Sequence, residues 1–217
     1  ASYFAITPEQ LNGRSTVVVP HAALAGFDDA LAFRHGEACI VSVPPASPEV
    51  ERAKLRAAKP SEVFDPKFLA KAFVVSQDNV TGPAWLGIAD GDTFKPAKSA
   101  ARVLTDKDEA ALQTLAEGCG EGAWKQSKLL KIRKPLYGVF EGKDLVAVSG
   151  YIVMGNVLAY IGVITHPAHR GKGRARAVLS AVAADAFAKG LVVLWRTPQG
   201  NDAAVALATS MGFEPYA

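Results

Sequence analysis

Only two of the 217 residues are cysteine, Cys39 and Cys119, and neither has a cysteine or histidine at metal-ligand spacing. That excludes a disulfide framework and a zinc ribbon. It predicts two reduced, buried thiols in a cytoplasmic protein with no bound metal. No run of about 18 apolar residues occurs, so no membrane-spanning helix is expected. The opening residues, Ala1-Ser2-Tyr3-Phe4, lack the basic flank of a secretion signal. The sequon Asn79-Val80-Thr81 is therefore expected to be a chance match. Internal repeats and low-complexity tracts are absent. Neither sign of charge dominates, with 24 basic against 21 acidic residues and a net charge of +3. This balance argues against a nucleic-acid groove, which would need a broad basic face.

What is present is a globular composition, 49% hydrophobic, with its charge unevenly divided. Residues 1–100 hold 10 basic and 11 acidic side chains, so the positive excess lies in residues 101–217. That suits one polyanionic small ligand held by the second half.

In the first half, Thr16–Val19, Ala38–Val43, Phe73–Ser76 and Trp85–Ala89 read as strands, and Phe27–Phe33 reads as a helix. Ser47-Pro48 and Asp65-Pro66 each open a helix, the second running through Ala72. The small-residue passage Lys95–Ala101 reads as the junction between residues 1–100 and 101–217. Beyond it, Thr105 opens a helix to Glu117 with Gly118 as its stop, and a short helix covers Gly122–Leu130. Strands follow at Leu136–Glu141, Leu145–Val153 and Val157–Thr165. Then come a helix over 173–189, a strand at Leu191–Trp195 and a helix capped by Asn201.

The most informative segment is His166-Pro167-Ala168-His169-Arg170-Gly171-Lys172-Gly173-Arg174-Ala175, where a strand hands over to an alanine-rich helix. Free N–H groups and the positive end of the helix dipole favour phosphate at such a turn. Gly171 and Gly173 permit close backbone approach. A Walker loop would need glycine at His166, and a dinucleotide fingerprint a small residue at Arg176. The pattern Arg170-x-x-Gly173-x-Ala175, after a strand ending Thr165-x-Pro167, instead resembles the acyl-coenzyme A loop of the GNAT acetyltransferase superfamily. Asn201-x-x-Ala204-x-x-Leu207 followed by Gly212-Phe213 resembles the last helix and turn of that superfamily, and the likeness covers roughly residues 103–217.

The resemblance implies an α/β fold, a mixed sheet of α+β type. A GNAT-like acyl-CoA N-acyltransferase core would lie at the C-terminus, behind a smaller α/β N-terminal half-domain. It implies acetyl-CoA as donor and an amine of a small molecule or peptide as acceptor, with no nucleic-acid or membrane partner; a homodimer is left open. The backbone of Val163, Ile164 and Thr165 would bind the pantetheine arm. The amides of Arg170, Gly171, Lys172, Gly173, Arg174 and Ala175 would hold the pyrophosphate. Asn201 would touch the donor arm or simply cap its helix.

The proton-handling groups depart from the family pattern. Ala208 stands where many members carry a tyrosine, with Thr209 and Ser210 the nearest hydroxyls, and no acid occurs from Val157 to Thr165. Glu141 and Tyr160 are the catalytic candidates in the core. His166 and His169 are expected to lie near phosphate or solvent, and Trp124 and Trp195 to pack. A module that binds acyl-CoA without turnover is the alternative, and a nucleic-acid domain built on the Arg-rich turn is a third reading.

Overall fold

The computed structural model describes residues 6–26, 30–80, 82–132 and 135–216. The opening tetrapeptide, Phe27 to Asp29 and Thr81 of the sequon fall outside these residues. The chain forms two compact units that divide between Ala84 and Trp85, with Tyr216 grouped with the first.

The first unit is built on three strands. α1 (Pro8–Leu11) is held by a capping box in which Thr7 and Gln10 satisfy each other's backbone N–H groups. β1 (Thr16–Pro20) pairs in parallel with β3 (Ala38–Val43), and β2 (Leu31–His35) pairs antiparallel on its other edge. β3 is buried throughout, as a central β-branched strand should be. α2 (Glu49–Ala57), α3 (Pro60–Val63) and α4 (Pro66–Phe73) follow. Leu55, Val63 and Ala72 from these helices cover Cys39, Val41 and Val43.

Two expectations fail here. Leu31 to Phe33 is strand, because its side chains complete the face of β3. The β-branched run after Phe73 is the exit from α4, where Val74 takes a left-handed φ of 55°. Burial pushes the Cys39 thiol up to about 11, so it is unreactive.

The second unit is a seven-stranded mixed sheet covered on both faces. Its elements in chain order are β4 (Ala84–Ala89), β5 (Arg102–Val103), α5 (Glu109–Cys119), α6 (Glu121–Gln126), β6 (Tyr137–Glu141), β7 (Asp144–Met154), β8 (Leu158–Thr165), α7 (Arg174–Ala188), β9 (Val192–Pro198), α8 (Asp202–Ser210) and β10 (Glu214–Pro215). The strand order is β10-β4-β9-β8-β7-β6-β5.

Residues alternate between the faces. Ala159, Ile161, Val193 and Trp195 meet Leu179, Val182 and Ala183 of α7. Ile164 and Val148 meet Leu115 of α5 and Leu129 and Ile132 of the segment after α6. At the far end of α7, the Tyr151 hydroxyl donates to Asp185 at 2.6 Å, and Lys189 donates to both, fixing the helix on β7.

The passage Lys95–Ala101 does not mark the boundary between the compact units. Ala97 N–H donates to Ser180 Oγ at 2.8 Å and Ser99 Oγ donates to the Ala177 carbonyl at 2.7 Å, so the segment lies along α7. Its small residues allow that close approach. β4, which precedes it, sits between β9 and β10, and a chain shortened to begin near Ala100 would lose that strand.

Gly118 is not the stop of α5. The helix runs to Cys119 and ends at Gly120, whose φ is 80°. Gly212 has a φ of 83°, and a methyl group there would collide with the Thr93 carbonyl oxygen. Gly212→Ala is therefore expected to destabilise the protein by at least about 2 kcal/mol, read as a lowered urea midpoint with an unchanged slope.

Candidate functional site

β8 is paired unequally on its two edges. Against β7 the ladder runs its whole length, from Leu158 opposite Met154 to Thr165 opposite Ala147. Against β9 it covers Leu158–Tyr160 with Val192–Leu194 and stops. Among the described residues the β9 side of the strand has no ladder partner from Ile161 to Thr165, and its N–H and C=O groups are open to an extended ligand. Thr165 Oγ1, at the end of this edge, is buried without a hydrogen-bond partner. Ser149 Oγ donates to the Gly162 carbonyl at 2.8 Å, bracing the strand from the β7 side.

The open edge leads straight into the glycine turn. Pro167–His169 makes a single 3-10 turn, and Gly171 and Gly173 follow with φ of 73° and 72°. A Cβ would meet nothing at either glycine, so backbone conformation, not crowding, requires them. α7 then begins with no side-chain cap and no acidic residue in its first turn. Its free N–H groups and dipole therefore stay available to an anion. The residues fit a diphosphate-bearing thioester: an edge for its arm and a nest for its phosphates.

The turn is clamped from several sides. Arg170 Nε donates to the Thr165 carbonyl at 3.3 Å, and His166 Nδ1 accepts from the Ala168 amide at 3.3 Å. The His166 ring rests on Gly118 of α5, where a Cβ would come within 2.5 Å of Nε2. This contact explains a glycine inside a helix.

Glu141 closes β6 beside the turn. Arg174 Nε donates to it at 2.6 Å, and His169 Nδ1 stands 3.2 Å from its other oxygen, at ion-pair range without hydrogen-bond geometry. Partial burial tends to raise its pKa, but the Arg174 and His169 interactions outweigh it and hold the carboxyl below its usual range. Glu141 is thus brought to the phosphate turn.

Tyr160 shares a face with Gly162, whose added Cβ would run into the Ser127 carbonyl oxygen, so it stands on the α5/α6 side of the sheet. Asn201 caps α8, accepting from the Ala204 amide at 3.3 Å. Trp195 is buried edge-on against Phe213, and Trp124 is half-buried against the α5 core. Ser210 is engaged by Arg176 at 2.6 Å.

Three residues at the open edge drew no attention in the sequence: Ser127, Lys128 and Arg196. Their signal was the run 121–134, with five basic residues and one acid. Of these, Arg133 and Lys134 fall outside the described residues. Among the described residues, no helix is long and apolar enough to cross a membrane and no cluster suits a metal ion.

Residues 108–213 match the profile of the acetyltransferase (GNAT) family. A GNAT-family protein from Novosphingobium aromaticivorans aligns at TM-score 0.50 and 28% identity, over 62% of this chain and 60% of that one. A GNAT-family acetyltransferase from Colwellia psychrerythraea aligns at TM-score 0.52 and 20% identity, over 62% and 53%. The chain thus spans less than two thirds of either relative's length. No curated protein matches it.

Because the folded-state pKa of Glu141 is lowered, its pairing stabilises the fold at neutral pH, and the contribution fades as pH falls below 4.5 and through the folded value. Glu141→Gln is expected to be less stable than the parent near pH 7, with a smaller difference at pH 3. Urea midpoints at the two pH values check this.

Proposed function

We propose, from the match of residues 108–213 to the GNAT acetyltransferase family profile, that the protein is an acetyl-CoA-dependent N-acetyltransferase acting on a primary amine of a small molecule or peptide. The observation that supports this most directly is the β8–β9 ladder ending at Tyr160 and Leu194, with the freed edge running into an uncapped helix N-terminus.

When bound, acetyl-CoA supplies an activated acetyl thioester. The backbone of Val163, Ile164 and Thr165 aligns its arm as an added strand. The amides from Arg170 to Ala175 hold the diphosphate, with Arg174 steered by Glu141. A strand-edge N–H directed at the thioester oxygen stabilises the charge that develops there. The amine nitrogen bonds to the acetyl carbon and the C–S bond breaks. The amine loses one proton, and coenzyme A leaves as the thiol.

Tyr160 and Glu141 remain the candidates for proton handling. Neither is placed to act alone: Glu141 is held by Arg174 and His169, and among the described residues no hydrogen bond orients the Tyr160 hydroxyl. Positioning and water supply the remainder. A binding-only module is favoured by one observation, the fully buried Ala208 in place of a hydroxyl, and amine-dependent thiol release separates the two readings.

Acetyl-CoA at about a hundredfold excess over its Kd is expected to stabilise the fold by about 2.7 kcal/mol, seen as a raised Tm. Gly173→Asp should abolish that shift by placing a negative charge in the nest; an unchanged shift would remove the turn from the site. Tyr160→Phe is expected to lower kcat by less than about a hundredfold. A loss beyond about a thousandfold with the fold intact would make it the principal acid.

A further inference from the structure

The opening between β8 and β9 has a second face, toward α5 and α6, and that face is cationic. β8 and β9 are parallel, with Tyr160 opposite Leu194, so Arg196 lies two residues beyond the last pair, level with Gly162. Val193 and Trp195 point to the α7 side, which puts Arg196 on the α5/α6 side. Gly162 itself lies under the Ser127 carbonyl, so the Ser127–Lys128 turn crosses the same point. Lys128 and Arg196 therefore flank the place where the strands part. Lys125 and Lys131 extend the charge along the segment, in which Glu121 is the one acid.

Two further observations mark Lys128. It holds a left-handed φ of 65°, a conformation costly for a side-chain-bearing residue and often retained where it serves a site. Its ammonium is held below the ordinary lysine value, by burial first and then by the positive charges of Arg196, Lys131 and Lys125. The repulsion is built into the fold, and an anion would relieve it.

Building on the acetyltransferase reading, we propose that the acceptor is a small primary amine bearing a carboxylate, which Lys128 and Arg196 bind while its amino group reaches the thioester through the opening between β8 and β9. Arg196 offers a planar fork to the carboxylate and Lys128 a point charge. A cationic acceptor such as a polyamine would meet repulsion at the same place.

The test uses the full chain and four matched probes: 4-aminobutyrate, O-phosphoethanolamine, ethanolamine and 1,4-diaminobutane. Calorimetry with the protein saturated in coenzyme A measures binding, and thiol release measures turnover. 4-Aminobutyrate is expected to bind about tenfold or more tightly than ethanolamine, with the diamine weakest. Lys128→Gly suits the φ at that position, and Lys128→Gly and Arg196→Gln should each weaken 4-aminobutyrate about tenfold while leaving the coenzyme A shift and ethanolamine binding unchanged. Lys128→Arg should restore it.

Tighter binding of the phosphate probe than the carboxylate would overturn the choice of carboxylate. Equal binding of all four probes, or loss of coenzyme A affinity in both variants, would overturn the proposal and assign the cations to the donor. Discrimination among probes without turnover would uphold the cationic, anion-binding site and sink the acetyltransferase reading.

Discussion

Everything at the site depends on two parallel strands that pair for three residues and then separate. A strand edge inside a sheet exposes donors and acceptors that elsewhere are satisfied in the ladder, and each one left buried and unpaired costs on the order of 1–3 kcal/mol. The fold sustains the gap by holding each strand from its far side. β8 is paired to β7 along its full length, and β9 is hydrogen-bonded to β4. Gly162, at the level of the parting, carries no side chain, which lets the Ser127 carbonyl come close on one face. The gap is kept open by neighbours, and under the proposed function a ligand that mimics a strand would close it.

Electrostatics supports the same arrangement. α7 offers a bare N-terminus, and the acid nearest to it, Glu141, is turned aside onto Arg174 and His169. It neutralises part of the local charge and fixes a cation beside the turn without entering it. Across the sheet the second cationic group gathers around Lys128. Donor and acceptor sides of one opening are thus both positive, which suits two anionic reactants better than a donor anion and an acceptor cation.

Much of the second unit was legible in the sequence because its signals are local. The glycines at 171 and 173, the alternation in β7 and β8, and the Asn201 cap each declare themselves within a few residues. What failed was set by distant partners. Gly118 reads as a helix stop, but it is small because His166, 48 positions later, needs its space. Lys95–Ala101 reads as a linker because small residues and proline usually are, yet here they fit against α7. Leu31–Phe33 became a strand because β3 needed an antiparallel neighbour. The cationic acceptor face was hidden for a similar reason. Lys128 and Arg196 are 68 residues apart and meet only because a parallel crossover brings β9 beside β8.

The missing hydroxyl after Leu207 and the missing acid in β8 also acquire a physical meaning. A general base matters most when the acceptor arrives protonated and must be discharged in place. If Lys128 and Arg196 hold the acceptor by its carboxylate, positioning of the amine replaces part of the work of a base. A positive surround lowers the pKa of the departing thiol, so it needs less help from an acid. A carboxylate on β8 beside the thioester would repel both the acceptor's carboxylate and the departing thiolate. The run from Val157 to Thr165, without a single acid, is compatible with such a site.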